Sequence, residues 1–280
     1  MPRAAPGGDA EYIGNLPSYA AIAWHYEKIT HKGRDEKTFL DEVRAFARGA
    51  YAEAMAQGQN LSQAQVDAMP AKLAGYTGLS VQYLKEANLR VSPSRFRKEL
   101  LRDQRMILGR YDARFEGTDA DAAGENPGYD PSSSGITGAF VSAFHDYLDR
   151  ELKYTAKETY FPRGPKVNEE WDETHHPPGA GGPGPQGRGL REPYVAGDLA
   201  DAMRKNPRLK VFSANGLFDL ATPFFITEYD LAHMELEPKL RGNIEFAYYH
   251  PGHMIYLNVD ALKQLKSDLA GFYSRAAAGD

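Results

Sequence analysis

Residues 209–273 constrain the fold more than any other part of this 280-residue chain. Two short apolar runs, 209–213 and 244–249, predict strands, and a helical pattern follows each of them. Strand, helix, strand, helix is typical of an α/β unit, in which two parallel strands are joined by a right-handed crossover. Parallel sheets are covered on both faces and need several strands. We therefore expect this stretch to form the end of a larger sheet.

The other strands of that sheet are hard to find, because residues 1–208 contain no convincing strand pattern. Either those strands are present without a recognisable pattern, or the chain is the C-terminal part of a longer protein, which is the interpretation we favour. An incomplete sheet exposes unpaired backbone groups along its edge. We therefore also expect some self-association through that edge.

The residues before 209 predict helices with frequent start signals. Pro17 suits the first turn of a helix at 16–26, and Ser62, Ser80 and Ser92 are placed to cap later helices. A helix at 136–152 has one apolar side, formed by Phe140, Phe144, Tyr147 and Leu148. The final helix has another, formed by Val259, Leu262, Leu265, Leu269 and Phe272, which we expect to face inward.

These patterns divide the chain into three parts. Residues 1–30 form a connecting helix, residues 31–190 a helical cap or lid, and residues 191–280 the strand-helix unit. Within the cap, residues 175–189 are mostly proline and glycine without a period, which predicts an exposed loop.

Composition excludes several functional classes. The 38 acidic residues outnumber the 33 basic ones without a long block of either sign, so nucleic acid is not an expected partner. The absence of cysteine excludes disulfides and a cysteine nucleophile. The sequence contains no run of about 18 apolar residues, so no membrane span is predicted. Residues 1–10 lack the apolar segment of a signal peptide, so export from this start is not indicated and the compartment is undetermined.

Asp219 and His253 are the candidate catalytic residues. Each follows a predicted strand directly, and the carboxyl ends of parallel strands open onto the same pocket. Taken singly, each could be an ordinary turn residue, beside Gly216 or Gly252, which we expect to serve backbone turns. Taken together, on consecutive strand ends and in the order acid then base, they predict part of a hydrolase triad.

The walls of the predicted pocket and any metal site are less well defined. Tyr249, Met254 and Tyr256 flank the base and are the candidates for lining the pocket. His175 and His176 follow several acidic residues, but their Pro/Gly-rich surroundings provide no rigid frame and no ligand spacing. We therefore predict neither a metal site nor a cofactor.

Three segments resemble the serine carboxypeptidases, peptidase family S10, especially the bacterial members. Asn-Gly-Leu-Phe-Asp-Leu-Ala-Thr-Pro at 215–223 resembles the aspartate motif, and Tyr-His-Pro-Gly-His-Met at 249–254 the Gly-His-Met motif. Leu-Pro-Ser-Tyr-Ala-Ala-Ile-Ala-Trp at 16–24 resembles the segment that leads into the helical cap of those members. The resemblance covers nearly the whole chain, and its Gly-His-Met element is the most specific.

The resemblance implies an α/β-hydrolase with an inserted helical lid that releases C-terminal residues from peptides at acidic pH through an acyl-enzyme. It assigns Asp219 as the triad acid and His253 as the base. It also implies a Gly-Glu-Ser-Tyr-Gly nucleophile motif, whereas no Gly-x-Ser-x-Gly occurs in this sequence. No nucleophile can therefore be assigned, and we expect the chain alone to be inactive.

Two other functions remain open. The chain could be a non-catalytic relative of the α/β-hydrolases whose lid surface binds a partner or a peptide. It could also belong to an acyltransferase, because acyl transfer to an alcohol uses the same acyl-enzyme and differs only in the acceptor. Members of the family are usually exported, so the resemblance implies an exported or periplasmic location.

Overall fold

The structure, a computed structural model, describes residues 8–30, 33–155, 160–162, 164, 166–172, 174–176 and 195–278. The fold is a mixture of α-helix and β-strand in which helices predominate. Most of the loop predicted at 175–189 lies outside the described residues. None of the helices in the described ranges is both long and apolar enough to cross a membrane.

The helices and strands follow one another in two blocks. The helical block holds α1 (Ala10–His25), α2 (Glu36–Phe46), α3 (Ala52–Gln57), α4 (Gln63–Thr77), α5 (Val81–Glu86), α6 (Pro93–Glu99), β1 (Met106–Leu108), β2 (Glu116–Thr118), α7 (Pro131–Asp146) and α8 (Val167–Glu170). The second block holds α9 (Ala196–Lys205), β3 (Val211–Gly216), α10 (Phe224–Ala232), α11 (Pro238–Arg241), β4 (Ile244–Tyr249) and α12 (Val259–Ala278). π-Helical turns at Ala47–Tyr51 and Tyr147–Glu151 continue α2 and α7.

Helix α1 lies at the centre of the helical block, where it contacts α2, α4 and α10. The prediction that this helix begins at Pro17 was wrong, because α1 begins at Ala10 and Pro17 lies in its interior. An interior proline costs about 3 kcal/mol, because it removes one backbone hydrogen bond. Burial of the run from Ala20 to Ala23, whose side chains are inaccessible to solvent, favours the helix despite that cost.

The predicted helix caps are confirmed. Ser62 accepts a hydrogen bond from the Gln65 amide, and the Gln65 side chain accepts one from the Ser62 amide, which completes a capping box. Ser80 and Ser92 accept amide hydrogen bonds at the starts of α5 and α6. These local signals are the reason why the helical block could be recognised from sequence.

A short antiparallel hairpin, β1 with β2, lies between α6 and α7 in the helical block, where the sequence pattern predicted no strand. Its loop, residues 109–115, extends toward the second block. This hairpin matters for the site, because its loop contacts the segments that follow β3 and β4.

Strands β3 and β4 pair in parallel, as the sequence predicted, with Val211 opposite Ile244 and Gly216 opposite Tyr249. Helices α10 and α11 form the crossover between them. Helix α12 packs on one face, where the Phe212 and Phe272 rings lie 5.3 Å apart. The other face packs on a small cluster contributed by α9, α10 and α11. In the described part of the chain this sheet has two strands, so each strand has one unpaired edge.

The apolar side of α12, which was predicted to face inward, is partly exposed: Phe272 is buried, but Val259 is 66% exposed and Leu262 is 43% exposed. The apolar side predicted at 136–152 is exposed too, at Phe140 and Phe144 on α7 and at Tyr147 in the π-helical turn that follows. The sequence identified both apolar sides correctly, but in the described residues nothing covers them fully.

Candidate active site

Asp219 lies in the loop between β3 and α10, and the packing of its neighbours fixes the position of that loop. Leu217, Phe218 and Leu220 are buried in the main hydrophobic core together with α1. Burial of these neighbours holds Asp219 in place just beyond the carboxyl end of β3. The carboxylate itself is almost completely buried.

Local hydrogen bonds hold the Asp219 carboxylate in one orientation. Its Oδ1 accepts hydrogen bonds from the amides of Ala221 (2.6 Å) and Thr222 (2.9 Å). Its Oδ2 accepts one from the Thr222 hydroxyl at 2.6 Å. These three donors engage both carboxylate oxygens, so the position of the Asp219 side chain is fixed.

His253 lies in the loop after β4, and the Asp219 carboxylate binds its ring. His253 Nδ1 is 2.9 Å from Asp219 Oδ2 and 3.1 Å from the Thr222 hydroxyl oxygen. Within the described part of the chain, every hydrogen bond of the ring is made at Nδ1. The side chain is 43% exposed, whereas that of its carboxylate partner is buried. This arrangement selects the tautomer with hydrogen on Nδ1 and leaves Nε2 as a proton acceptor.

The carboxylate also changes the acidity of the imidazole. The hydrogen bond that the His253 ring donates to Asp219 raises the pKa of His253 above its ordinary value of 6.5, because the negative charge stabilises the imidazolium. Partial burial and the positive charge of Arg110 act in the opposite direction. The Tyr111 ring packs against the imidazole, with centroids 5.4 Å apart.

Gly216 and Gly252 bring the two loops together. A methyl group on Gly216 would lie 2.5 Å from the Gly252 carbonyl carbon, and one on Gly252 would lie 2.7 Å from Asp112 Cβ. Neither glycine has a positive φ. Gly216 begins a backbone turn, as predicted, in which the Asp219 amide donates to the Gly216 carbonyl at 3.4 Å. Close approach between backbones, and not a positive φ, is what requires glycine at both positions.

The three candidates for the pocket wall have different surroundings. Tyr249 faces α12, where its hydroxyl donates to Asp268 at 2.9 Å. Its side chain therefore packs between the sheet and α12. Met254 is partly buried and Tyr256 is exposed in the loop just after the base. A lining role for Met254 and Tyr256 stays a prediction.

The other histidines considered from sequence have ordinary structural partners. His250 is exposed and pairs with Glu36 at 2.7 Å. His175 Nε2 lies 2.7 Å from Asp198 Oδ2. Among the residues that the structure describes, no group of three or more histidine and acidic side chains converges as a metal site.

The serine cluster at 132–134 makes no hydrogen bond with the Asp219–His253 pair, which we call the dyad, in the described part of the chain. Ser132 is fully buried, donates its hydroxyl hydrogen to Asp130 at 2.6 Å and accepts a hydrogen bond from the Tyr111 amide at 3.1 Å. Its hydroxyl therefore has a structural use at the start of α7. The structure thus contains an acid and a base held together, without a hydroxyl from the described residues at Nε2.

Two residues that contact the dyad or its loops had no assigned role in the sequence pattern. Thr222 belongs to the motif at 215–223, and its hydroxyl contacts both Asp219 and His253. Asp112 carried no local signal, yet it accepts a hydrogen bond from the Gly252 amide at 3.0 Å. The spacing Asp-x-x-Thr could have indicated the first contact, since a hydroxyl three residues later can reach back to the carboxylate.

No protein-family model matches the chain, and comparisons with curated proteins and with solved structures found no significant match. The function must therefore be inferred from the site itself and from the motifs at 215–223 and 249–254. Chemically, the arrangement can accept a proton at Nε2, hold it as an imidazolium stabilised by a buried carboxylate, and return it. That is the acid-base part of acyl transfer.

Proposed function

We propose that this chain supplies the acid and base of a serine-type carboxypeptidase built on an α/β-hydrolase fold. One observation carries the proposal: a buried Asp219 carboxylate binds Nδ1 of His253 at the carboxyl ends of two adjacent parallel strands. The His253 side chain is partly exposed, and Nε2 has no hydrogen-bond partner among the described residues. The motifs around both residues, which resemble family S10, support the choice of peptide as substrate.

In this proposal each residue has one role. His253 Nε2 takes the proton from a serine hydroxyl as the serine oxygen attacks the carbonyl carbon of the last peptide bond. The same proton then passes to the leaving amine, so that a C-terminal amino acid departs and an acyl-enzyme remains. Water, deprotonated by His253 in turn, hydrolyses the ester and restores the serine. Asp219 keeps the ring oriented and stabilises its positive charge.

In this proposal the serine comes from polypeptide other than these 280 residues, because the sequence has no Gly-x-Ser-x-Gly motif and no described serine hydrogen-bonds to the His253 ring. The unpaired edge of β3 supports this part of the proposal. A further parallel strand beside β3 would end on the same side as Asp219 and His253. A serine following such a strand would lie near Nε2.

A fluorophosphonate probe tests the proposal, since it labels only an activated serine. We expect no labelling of the 280-residue chain and strong labelling of a product extended by the sequence encoded directly upstream. His253→Gln in the extended product should abolish the labelling. Labelling of the short chain, or no labelling of an extended product that contains a Gly-x-Ser-x-Gly motif, would contradict the proposal.

Release of leucine from a blocked dipeptide identifies the reaction, and added alcohol distinguishes the acyltransferase. A peptidase forms free acid as its main product, whereas an acyltransferase forms ester when the alcohol is present. Both use Asp219 and His253 identically. The exposed aromatic side chains on α7, Phe140, Phe144 and Tyr147, favour peptide binding as a second candidate function. Peptide binding without labelling of any extended product would favour this second function.

A further inference from the structure

One tetrapeptide of the β1–β2 loop, residues 110–113, touches both loops of the dyad; we refer to it as the bridging segment. On the Asp219 side, the Leu220 amide donates to the Arg110 carbonyl at 3.0 Å, and the Ala113 amide donates to the Phe218 carbonyl at 3.0 Å. The bridging segment therefore binds the backbone on both sides of Asp219.

The same segment binds the loop that carries the base. The His253 amide donates to the Tyr111 carbonyl at 2.6 Å. The Gly252 amide donates to Asp112 Oδ2 at 3.0 Å. A hydrogen bond to a carboxylate is shorter and stronger than one between neutral groups. The backbone amides of Gly252 and His253 are thus both bound by the bridging segment.

Asp112 is itself held rigidly. Its side chain is only 2% exposed. Arg114 donates to it three times, through the backbone amide (3.0 Å), through Nε (3.0 Å) and through a terminal guanidinium nitrogen (2.7 Å). A carboxylate that is buried and bound in this way has a fixed position, so it can also fix the position of the Gly252 amide.

The bridging segment is anchored in the helical block and not in the sheet. The Arg110 amide donates to Asp130 at 2.9 Å, at the start of α7. The hydroxyl of Tyr26, just after α1, donates to the Ala113 carbonyl at 2.8 Å. The bridging segment therefore connects the dyad loops to the helical block, in addition to the core packing of Leu217, Phe218 and Leu220.

We propose that the bridging segment is a positioning element for the Asp219–His253 pair, and that Asp112, acting through the Gly252 amide, holds the imidazole against the carboxylate. The sheet joins the starts of the two loops, because the Leu217 amide donates to the Tyr249 carbonyl at 2.8 Å. The bridging segment binds both loops further along, beside Asp219 and at His253 itself. The catalytic consequence rests on the function proposed above, but the positioning itself can be measured without catalysis.

Asp112→Ala in the 280-residue chain is the test, and the readout is the pKa of His253 from the pH titration of its ring protons by NMR, assigned with His253→Gln. Loss of the Gly252 contact should let the ring move away from Asp219, so the pKa should fall toward 6.5. Asp112→Asn keeps an oxygen acceptor and should stay closer to the wild type, which also provides a second variant if alanine prevents folding.

Two controls separate positioning from general destabilisation. Asp119→Ala removes a different buried carboxylate, which binds Lys98 at 2.6 Å, so it should weaken the fold without changing the pKa of His253. Asp103→Ala, at an exposed position, should change neither quantity. An unchanged His253 pKa in folded Asp112→Ala, or an equal fall in Asp119→Ala, would overturn the proposal.

The activity of an extended product separates this inference from the proposed function. If that product is a peptidase, Asp112→Ala should lower kcat by about 100-fold with little change in KM, as expected for a misplaced catalytic group. If Asp112→Ala lowers the pKa of His253 but no extended product is active, the positioning role stands and the peptidase function fails.

Discussion

Gly216 and Gly252 lie in direct backbone contact at the point where the acid loop leaves β3 and the base loop leaves β4. A methyl group on Gly216 would lie 2.7 Å from the Pro251 carbonyl oxygen. Because strands β3 and β4 are parallel, both loops begin at the same edge of the sheet. Their contact sets the spacing between Asp219 and His253.

Replacement of either glycine should therefore destabilise the protein and disturb the dyad together. For Gly252→Ala we expect a loss of about 1 to 3 kcal/mol in unfolding free energy, the usual effect of overpacking. Urea unfolding measures the loss. Gly242→Ala is the matched control, because a methyl group there meets no atom within 4 Å. Equal stability of the two variants would contradict the close contact.

Asp219→Asn should lower the pKa of His253, because it removes the negative charge that stabilises the imidazolium. NMR titration of the ring gives this value in the 280-residue chain. Asp260→Asn, at a highly exposed position on α12, should leave it unchanged. In an active extended product, loss of the correct tautomer should lower kcat by roughly 10⁴-fold, as for the equivalent change in the Ser-His-Asp triad. A His253 pKa that stays raised in Asp219→Asn would show that another group causes the shift.

The same raised pKa makes the contribution of His253 to stability dependent on pH. The folded state holds the proton more tightly than the unfolded state, so the contribution is fully present below the ordinary pKa of 6.5 and is lost as pH rises through the folded value. Unfolding of the wild type and of His253→Gln should therefore differ more at acidic than at alkaline pH. A difference that grows with pH would reverse this assignment.

This pH behaviour bears on the acidic activity that the family resemblance implies. A histidine that acts as a base must be neutral to accept the serine proton. The hydrogen bond to Asp219 keeps His253 protonated to higher pH. A positive charge near the imidazole acts against this. Arg110 provides such a charge and lowers the pKa of His253. Activity at acidic pH would therefore need further positive charge or burial around the ring.

What the sequence predicted about the site depended on local patterns. Asp219 and His253 could be found because each follows a strand within a few residues, and Ser62 could be recognised as a cap because its partner is three residues away. Asp112 could not be found, since its contact with Gly252 joins positions 140 residues apart. Such contacts depend on the packing of whole elements, which periodicity does not encode.

The misjudged surfaces have a related cause. Periodicity identifies which side of a helix is apolar, but it does not identify what packs against that side. Phe272 on α12 meets Phe212 and is buried, whereas Val259 on the same helix is exposed. Pro17 was misplaced because propensity favours the first turn, whereas the packing of α1 extends the helix back to Ala10.

Glu228 on α10 connects the helical block to β4. Its carboxylate accepts hydrogen bonds from Arg44 (3.0 Å), Arg48 (2.9 Å) and the Tyr248 hydroxyl (2.9 Å). Glu228→Ala leaves the largely buried Arg44 and Tyr248 groups without this acceptor, so we expect a loss of about 2 to 4 kcal/mol in unfolding free energy.

Glu245→Ala is the control for this prediction. Glu245 pairs with Arg275 at an exposed site, where an ion pair contributes less than about 1 kcal/mol. Urea unfolding should therefore separate the two glutamates clearly. If both variants lose the same small amount, the Glu228 cluster does not join the two blocks.

Lys98 and Asp119 form a buried ion pair beside the β1–β2 hairpin. Their side chains are 1% and 3% exposed, and Lys98 Nζ donates to Asp119 Oδ1 at 2.6 Å. Lys98→Met leaves the carboxylate buried without its cation, and breaking such a pair costs about 3 to 5 kcal/mol. Lys37→Met breaks an exposed pair with Asp41 and should cost less than about 1 kcal/mol.

Comparison of Lys98→Met with Asp112→Ala also tests whether the stability of the hairpin and the geometry of the dyad are separate properties. Lys98 supports the strands of the hairpin, whereas Asp112 lies in its loop and contacts the base loop. Lys98→Met should therefore lower the urea midpoint while the pKa of His253 in the folded protein stays raised. A fall in that pKa comparable to the one expected for Asp112→Ala would mean that the whole hairpin, and not its loop, positions the imidazole.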